Sequence, residues 1–296
     1  MRGPDSVIGK VSVDITSTGV GQAVRRAAVL GSPIRHSLSP VLHRAAYQAL
    51  ELRSWHYDMI ECDEPALPAL LDGMGPEWAG LSLTMPLKRV ALTLADEVAP
   101  LARAVGAANT LVFPLAGGRH VHNTDVAGLT GALREAGLTR LKRPLILGAG
   151  GTAQAALAAV RELGHKSPAV LVRNLSRTGE LRETADRLGM RPVISGGLFE
   201  EPLPAADLVI STLPGGAADP LAATRWPPGT AVLDVVYASW PTPLARSALS
   251  AGCSVISGLA VLLYQAVAQV ELMTGYPGPV EAMRAALVAA VAARQN

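Results

Sequence analysis

The feature that most constrains the fold is a glycine turn between an apolar run and an alanine-rich run, LILGAGGTAQAAL, at residues 145–157. The run before the turn has the length and composition of a buried strand, and the run after it has those of a helix. Patterns of the same two kinds alternate along the whole chain. This rhythm predicts an α/β fold with a parallel sheet built from strand–helix–strand units.

The predicted elements divide into two groups and a closing pair of helices. The strands are predicted at Arg26–Leu30, Trp55–Ile60, Gly80–Thr84, Ala107–Phe113, His120–Asn123, Pro144–Leu147, Ala169–Val172, Pro192–Ser195, Leu208–Ser211, Ala231–Val236 and Ser254–Ile256. The helices are predicted at His43–Leu50, Pro65–Leu71, Leu87–Ala95, Ala127–Ala136, Thr152–Leu163, Leu259–Met273 and Val280–Arg294. We therefore expect a substrate-binding domain of residues 26–124 plus 259–296 and a Rossmann-like nucleotide-binding domain of residues 125–258. The last two helices are expected to fold back on the first domain.

Composition excludes several classes of protein. Of the 296 residues, 49% are hydrophobic and 17% are charged, which indicates a well-packed globular chain. The net charge of +2 comes from scattered basic residues, and 4% of the chain is aromatic, so no nucleic-acid partner is expected. The most apolar late segment, residues 258–274, contains Gln265, Gln269 and Glu271. It indicates a buried amphipathic helix, so we expect no membrane partner.

Two cysteines and the N-terminal segment bear on location. Cys62 and Cys253 are far apart in sequence without a CxxC partner, which is typical of buried thiols in a reducing compartment. We therefore expect a cytoplasmic protein. Residues 1–25 lack the sustained apolar core of a secretory signal and indicate a flexible extension. The sequence leaves monomer and homodimer both open.

The glycine turn predicts a dinucleotide site. Gly148, Gly150 and Ala153 form a GxGxxA pattern directly after the strand and directly before the helix. The first glycine permits the tight turn, the second lets a pyrophosphate approach the backbone, and the alanine keeps helix and strand close. The N–H groups and dipole at the helix N-terminus then favour the phosphates.

The loop after the next strand indicates which dinucleotide is bound. NAD sites usually have an acidic residue there that holds the ribose hydroxyls. This chain has none and instead presents Arg173, Asn174, Ser176 and Arg177. A guanidinium attracts a 2′-phosphate and a carboxylate repels it, so the loop favours NADP over NAD.

A second set of polar residues lies in the first domain. The stretch SLTMPLKR at residues 82–89 leaves Thr84 and Lys88 near the carboxyl end of a strand, where ligands bind in α/β sheets. Pro86 is expected to end the strand and open a helix. Ser37 and Ser39 alternate in a loop bracketed by prolines, so in an extended segment both hydroxyls would reach one ligand.

Two further stretches add polar groups, and each also has a purely structural explanation. GAANTLV contributes Asn109, and HNTDVAG contributes Asn123, Thr124 and Asp125. Asp125 is equally well placed as the N-cap of a helix. A serine pair alone can be a polar turn, and a lone lysine is most often a solvated surface charge.

Seven motifs in order resemble the shikimate dehydrogenase family, and they extend over about residues 27–296. The motifs are GSPIRHSLSP, SLTMPLK, VGAANTL, HNTDVAG, GAGGTA, LDVVYASWPTPL and SGLAVLLYQA. The resemblance implies two α/β domains, NADP as cofactor and shikimate or 3-dehydroshikimate as a small-molecule substrate. It also implies a step of chorismate and aromatic amino acid biosynthesis. Because the nicotinamide carries out the redox chemistry, we expect no metal.

The resemblance assigns roles residue by residue. Lys88 is implied as the catalytic general acid and base, with Asp125 as its partner. The residues implied in substrate binding are Ser37, Ser39, Thr84, Lys88, Asn109, Asp125, Tyr237 and Gln265. Those implied on the cofactor side are Gly148, Ala149, Gly150, Gly151, Thr152, Ala153, Arg173, Asn174, Ser176, Arg177, Thr212, Val235 and Gly258.

The sequence differs from the family's pattern in the cofactor loop, and it leaves two alternative functions open. The family's common Asn-Arg-Thr is here Asn174-Leu175-Ser176, so the 2′-phosphate must be held by Arg173 or Arg177. A quinate or quinate/shikimate dehydrogenase is the nearest alternative. It would be favoured by a smaller residue or threonine in the serine pair together with an acid in the cofactor loop, and the chain has neither. A non-catalytic NADP-sensing module on the same scaffold is the alternative from another class.

Overall fold

Two six-stranded sheets organise the chain, and the computed structural model describes residues 23–199, 203–238 and 240–295. Most of the extension predicted at residues 1–25 therefore lies outside the described residues. The prediction of an α/β fold with two sheet-based units is confirmed. Within the ranges given, none of the helices combines the length and the apolarity that a membrane crossing requires.

The first sheet is mixed. Its strands are β1 (Arg25–Gly31), β2 (Trp55–Glu61), β3 (Trp78–Leu83), β4 (Glu97–Val98), β5 (Thr110–Val112) and β6 (His120–His122), in the spatial order β2-β1-β3-β5-β6-β4. β1 pairs in parallel with β2 and β3, whereas β5 runs antiparallel to β3 and β6. β3 lies in the interior of this sheet between β1 and β5, and all of its residues are buried.

Four helices accompany the first sheet: α1 (Ser39–Ala49), α2 (Leu67–Asp72), α3 (Val90–Thr93) and α4 (Pro100–Val105). The helix predicted at Leu87–Ala95 is wrong in extent, and Pro86 lies in a turn instead of opening it. The reason is that the carbonyl oxygen of Lys88 accepts a hydrogen bond of 2.7 Å from the N–H of Ala108, two residues before β5, instead of bonding within a helix. The sequence does not predict β4 or α4, because such short elements develop no periodicity.

The second sheet is entirely parallel. Its strands are β7 (Pro144–Leu147), β8 (Ala169–Leu171), β9 (Val193–Ser195), β10 (Leu208–Ser211), β11 (Ala231–Asp234) and β12 (Ser254–Ser257), in the order β12-β11-β10-β7-β8-β9. This is the order of a doubly wound dinucleotide-binding sheet, whose topological switch point lies between β7 and β10. The bounds predicted for β7 and β10 agree with the structure.

The remaining helices cover the second sheet and return to the first. They are α5 (Asp125–Glu135), α6 (Gly151–Glu162), α7 (Gly179–Leu188), α8 (Pro243–Ser250), α9 (Gly258–Thr274) and α10 (Val280–Gln295). α9 packs against α5 and α1, and α10 packs against α1, so the prediction that the closing helices return is confirmed. Leu42, Leu263 and Met283 form the buried contact among α1, α9 and α10. The sequence patterns do not predict α7 or α8. Cys62 and Cys253 are buried free thiols, as predicted.

Candidate active site

A cavity of about 770 Å³ lies where the carboxyl ends of β3 and β11 face each other beside the start of α9. Ligands bind at this end of the strands in α/β sheets. The structure brings all eight residues predicted to bind substrate to its wall: Ser37, Ser39, Thr84, Lys88, Asn109, Asp125, Tyr237 and Gln265. They come from three helices, from the carboxyl end of β3 and from the turns and loops beside the two sheets, so tertiary folding assembles the site.

Lys88 and Asp125 form an ion pair on this wall, with 2.6 Å between Nζ and Oδ2. Their side chains are 26% and 17% exposed, so they are shielded from bulk water and still open to the cavity. Asp125 is the first residue of α5, where the helix dipole favours a carboxylate. The alternative prediction that Asp125 is the N-cap is wrong, because Thr124 occupies that position and the Asp125 carboxylate is engaged by side chains.

Asn109 holds the carboxylate in place. Its side chain is buried, and Nδ2 donates to Oδ1 of Asp125 at 2.9 Å and to Oγ1 of Thr124 at 2.9 Å. Its Oδ1 accepts a hydrogen bond of 2.7 Å from the N–H of Thr124. The same Nδ2 lies 3.3 Å from Oε1 of Gln265 on α9. The uncharged amide of Asn109 therefore ties the start of α5 to β5 and sets the direction in which Asp125 faces Lys88.

The two serines lie at the start of α1 and not in an extended segment. Leu38 has helical backbone angles, and Ser39 is already the first residue of the helix, so the prediction of an extended pair is wrong. Pro40 favours this early start because proline suits the first helical turn. The Oγ of Ser37 accepts a hydrogen bond of 3.2 Å from the N–H of Ser39. The turn brings both residues to the cavity wall.

His43 lies one helical turn after Ser39 and is completely buried. Its Nδ1 lies 2.9 Å from the carbonyl oxygen of Ser39, which can only accept, so this nitrogen carries the proton. Its ring stacks on Tyr57 with the centroids 4.0 Å apart. Burial lowers the pKa of His43 to about 4, and the hydrogen bond to Ser39 opposes that shift. A neutral imidazole therefore supports the first turn of α1.

The loop after β11 forms the opposite wall and carries Tyr237. Asp234 ends β11 fully buried, and its Oδ1 accepts from the N–H of Val236 at 3.2 Å while its Oδ2 accepts from Oγ1 of Thr242 at 2.7 Å. Burial raises the pKa of the Asp234 carboxyl, and the hydrogen bond from Thr242 acts in the opposite direction. These bonds hold both ends of the loop. Burial also raises the pKa of Tyr237, and the charge of Arg294 opposes that shift.

The glycine turn has the shape that a dinucleotide phosphate requires. Gly148 has a φ of +110°, and a Cβ there would lie 2.6 Å from Oγ1 of Thr212, so only glycine fits. A Cβ on Gly150 or Gly151 would meet nothing within 4 Å, which leaves the backbone open to a ligand. The N-terminus of α6 has no side-chain cap, so its first N–H groups are available to an anion. Ala153 is fully buried and can contribute only packing and its backbone N–H.

The basic loop after β8 lies beside the glycine turn, because the N–H of Gly148 donates to the carbonyl of Leu171 at 2.9 Å. The Oδ1 of Asn174 accepts from the N–H of Ser176 at 2.9 Å and from its Oγ at 2.8 Å, which shapes a short 3-10 turn. Arg173, which precedes this turn, and Arg177, which is its last residue, are both exposed. Both guanidinium groups are thus free to meet a phosphate next to the ribose position.

Of the predicted cofactor residues, the structure brings Thr152, Val235 and Gly258 to the cavity wall. A Cβ on Gly258 would collide with the carbonyl oxygen of Val235, which explains the glycine at the start of α9. The others form the glycine turn and the loops beside it, outside that wall: Gly148, Ala149, Gly150, Gly151, Ala153, Arg173, Asn174, Ser176, Arg177 and Thr212. In the described part of the chain, no group of three or more His, Cys, Asp or Glu side chains is arranged to hold a metal ion.

Residues on the cavity wall that sequence reasoning missed include Ser82, Gln269 and Arg294. Ser82 lies two residues before Thr84 on β3, and Gln269 lies four residues after Gln265 on α9, so strand and helix periodicity could have found both. Oγ of Ser82 donates to Oε1 of Gln269 at 2.7 Å. Arg294 has no comparable sequence signal, since only the return of α10 brings it to the site.

Models of two protein domains match the chain. The model described as the shikimate dehydrogenase substrate binding domain matches residues 29–111. The model described as the shikimate 5′-dehydrogenase C-terminal domain matches residues 258–288. The first match contains Lys88 and Asn109, and the second contains Gln265.

Relatives with the same description resemble nearly the whole chain. The NADP(+) shikimate dehydrogenase of Caulobacter vibrioides is 38% identical over 264 residues, which cover 85% of this chain and 90% of that protein. The crystal structure of Mycobacterium tuberculosis shikimate dehydrogenase is 45% identical with a TM-score of 0.80 and covers 90% of this chain and 99% of its own. The Thermus thermophilus enzyme, solved in complex with NADP(H) and shikimate, is 31% identical with a TM-score of 0.77 and covers 90% of this chain and 100% of its own.

Proposed function

Because the chain belongs to the shikimate dehydrogenase family, we propose that it catalyses the reversible, NADP-dependent reduction of 3-dehydroshikimate to shikimate. This reaction is a step of chorismate and aromatic amino acid biosynthesis. The observation that carries the proposal is the Lys88–Asp125 ion pair, which lies in one cavity with a serine-bearing helix start and the edge of a dinucleotide-binding sheet. The Thermus thermophilus relative, which binds NADP(H) and shikimate, supports both ligands.

The substrate is proposed to lie across the cavity with its carboxylate at Ser37 and Ser39. Thr84, Asn109 and Asp125 then meet the ring hydroxyls, while Tyr237 and Gln265 close the pocket, as their positions on its wall allow. Hydroxyl and amide groups both donate and accept, so this set suits a polyhydroxylated acid.

Lys88 is proposed to act as the general acid and base. When NADPH is bound, its nicotinamide supplies the hydride that reaches the ketone carbon. The Lys88 ammonium donates a hydrogen bond to the ketone oxygen, stabilises the negative charge developing there and transfers its proton to it. Asp125 orients Lys88 from 2.6 Å, and Asn109 keeps that carboxylate in position. In the oxidising direction the neutral amine accepts the proton of the shikimate hydroxyl.

The residues present fit NADP. The open backbone of Gly150 and Gly151 and the uncapped start of α6 would hold the pyrophosphate. The exposed guanidinium groups of Arg173 and Arg177 would hold the 2′-phosphate, since the loop contains no acid that would repel it. Val235 and Gly258 would contact the nicotinamide at the edge of the cavity.

We further propose the two domains expected from the sequence, a substrate-binding domain of residues 26–124 plus 259–296 and an NADP-binding domain of residues 125–258, which adds Asp125 and Tyr237 to the substrate site. All eight substrate-facing residues come from one chain, so a monomer or a homodimer would have complete sites. The two buried free thiols are consistent with a reducing, cytoplasmic location.

Initial rates with shikimate and quinate, each with NADP and NAD, test the proposal. We expect the highest kcat/KM for shikimate with NADP. Faster turnover of quinate, or a preference for NAD, would assign the chain to the quinate or quinate/shikimate dehydrogenases. Binding of NADP without turnover of either acid would identify a sensing module.

A further inference from the structure

Arg294 lies in the last turn of α10 and belongs to the wall of the cavity together with Ser37, Ser39 and Tyr237. One of its guanidinium N–H groups donates to the carbonyl oxygen of His36 at 3.1 Å, directly before the serine turn. Its charge also acts on the Tyr237 hydroxyl on the opposite wall. Arg294 therefore contacts the loop that leads into the two serines proposed to hold the carboxylate.

The guanidinium of Arg294 has donors to spare. Among the described residues its single hydrogen bond is the one to His36, and no carboxylate lies within ion-pair distance. Arg284, ten residues earlier on the same helix, has several partners. It pairs with Glu135 at 2.7 Å and with Glu281 at 3.8 Å, and it lies against the ring of Tyr264.

A carboxylate that enters a partly enclosed cavity loses hydration, and hydroxyl groups alone do not replace a counter-charge. Among the described residues that line the cavity, Lys88 and Arg294 are the two permanently basic side chains, and Lys88 is engaged by Asp125. A guanidinium matches the planar carboxylate in geometry as well as in charge.

On the basis of the proposed function, we propose that Arg294 is a specificity-determining residue that recognises the carboxylate of the substrate together with Ser37 and Ser39. It draws anionic substrate to the mouth of the cavity and discriminates against the uncharged analogue. α10 thus contributes to recognition as well as to the core.

The test compares Arg294→Gln with wild type, with Arg294→Lys and with the matched charge removal Arg284→Gln. Glutamine retains a donor for the carbonyl of His36, so the loop contact can persist without the charge. Kinetics with NADP and calorimetric binding of shikimate and of its methyl ester are measured for each protein at low and high ionic strength.

For Arg294→Gln we expect about a tenfold higher KM and Kd for shikimate, the size expected of one solvent-screened hydrogen bond to a charged group. We expect kcat, the KM for NADP and methyl ester binding to stay within about twofold of wild type. Salt should weaken shikimate binding to wild type and to Arg294→Lys more than to Arg294→Gln.

The inference is overturned if Arg294→Gln behaves like Arg284→Gln, or if it weakens acid and ester equally, which would indicate a structural role. In either case the proposed function stands as long as wild type oxidises shikimate. If wild type binds shikimate in an Arg294-dependent way without oxidising it, the proposed function fails and the inference holds. If wild type does not bind shikimate, both fail.

Discussion

The Nζ of Lys88 lies 2.6 Å from Oδ2 of Asp125, and Nδ2 of Asn109 holds the other oxygen of the same carboxylate at 2.9 Å. The three residues come from the turn after β3, the start of α5 and the residue before β5. Among the side chains of the described residues, Lys88 donates to one oxygen of the Asp125 carboxylate and Asn109 to the other. The remaining N–H groups of Lys88 can reach a ligand in the cavity.

Replacing Lys88 by alanine should lower kcat by about 10²–10⁴-fold, because the general acid is lost. The KM for shikimate should change little, since the other polar groups of the wall remain. Lys142→Ala, which removes an exposed lysine on the second sheet's side, is the matched control and should be neutral. A kcat of Lys88→Ala within a few-fold of wild type would refute the role given to this residue.

Changing both Arg173 and Arg177 to glutamine should raise the KM for NADP about tenfold or more and leave the KM for NAD nearly unchanged. The reason is that only NADP carries the 2′-phosphate that the guanidinium groups are proposed to hold. The control is the double variant Arg161→Gln, Arg191→Gln, which removes two other exposed positive charges from the same half of the chain. Equal effects of the Arg173 and Arg177 changes on both cofactors would rule out the phosphate assignment.

Gly150→Ala should weaken NADP binding without lowering the stability of the free protein. A Cβ at this position meets no protein atom within 4 Å, so the Tm of the free protein should stay within about 2 °C of wild type. The same methyl group would stand where the pyrophosphate approaches the backbone, so the Kd for NADP should rise at least about tenfold. Gly179→Ala, equally open at the start of α7, is the control for both measurements. Unchanged NADP binding in Gly150→Ala would argue against the pyrophosphate position.

His43 should make the protein less stable as the pH falls from about 6.5 to about 4. Its pKa in the folded protein is lowered to about 4 from an ordinary value of 6.5, chiefly by burial. In that window the unfolded chain binds a proton that the folded protein does not, so the free energy of unfolding falls by up to about 1.4 kcal/mol per pH unit.

Urea unfolding at a series of pH values measures this contribution. His43→Asn keeps an N–H donor near the Ser39 carbonyl and removes the titration, so its stability should depend less steeply on pH than that of wild type. His56→Asn, which alters an exposed histidine on β2, should retain the wild-type slope. Identical slopes for wild type and His43→Asn would show that His43 does not titrate as its burial requires.

Local patterns were sufficient for the parts of the site that depend on neighbours in sequence. The glycine turn is an example, because the φ of Gly148 and the open backbone at Gly150 follow from a strand, a tight turn and a helix in immediate succession. Local patterns failed where a distant partner intervened. The turn after Pro86 stays open because Lys88 bonds to Ala108, and Ser39 starts α1 where an extended segment was expected.

The sequence by itself therefore determined the α/β class, the parallel second sheet and the residue types of the site, since periodicity and turn chemistry act over a few residues. Only the tertiary structure decided that Asn109 aligns Asp125 with Lys88 and that Gln269 bonds to Ser82. It alone brought Arg294 to the mouth of the cavity. These contacts join residues that are far apart in sequence, such as Ser82 and Gln269, which are 187 positions apart. The packing of α5, α9 and α10 decides which residues meet.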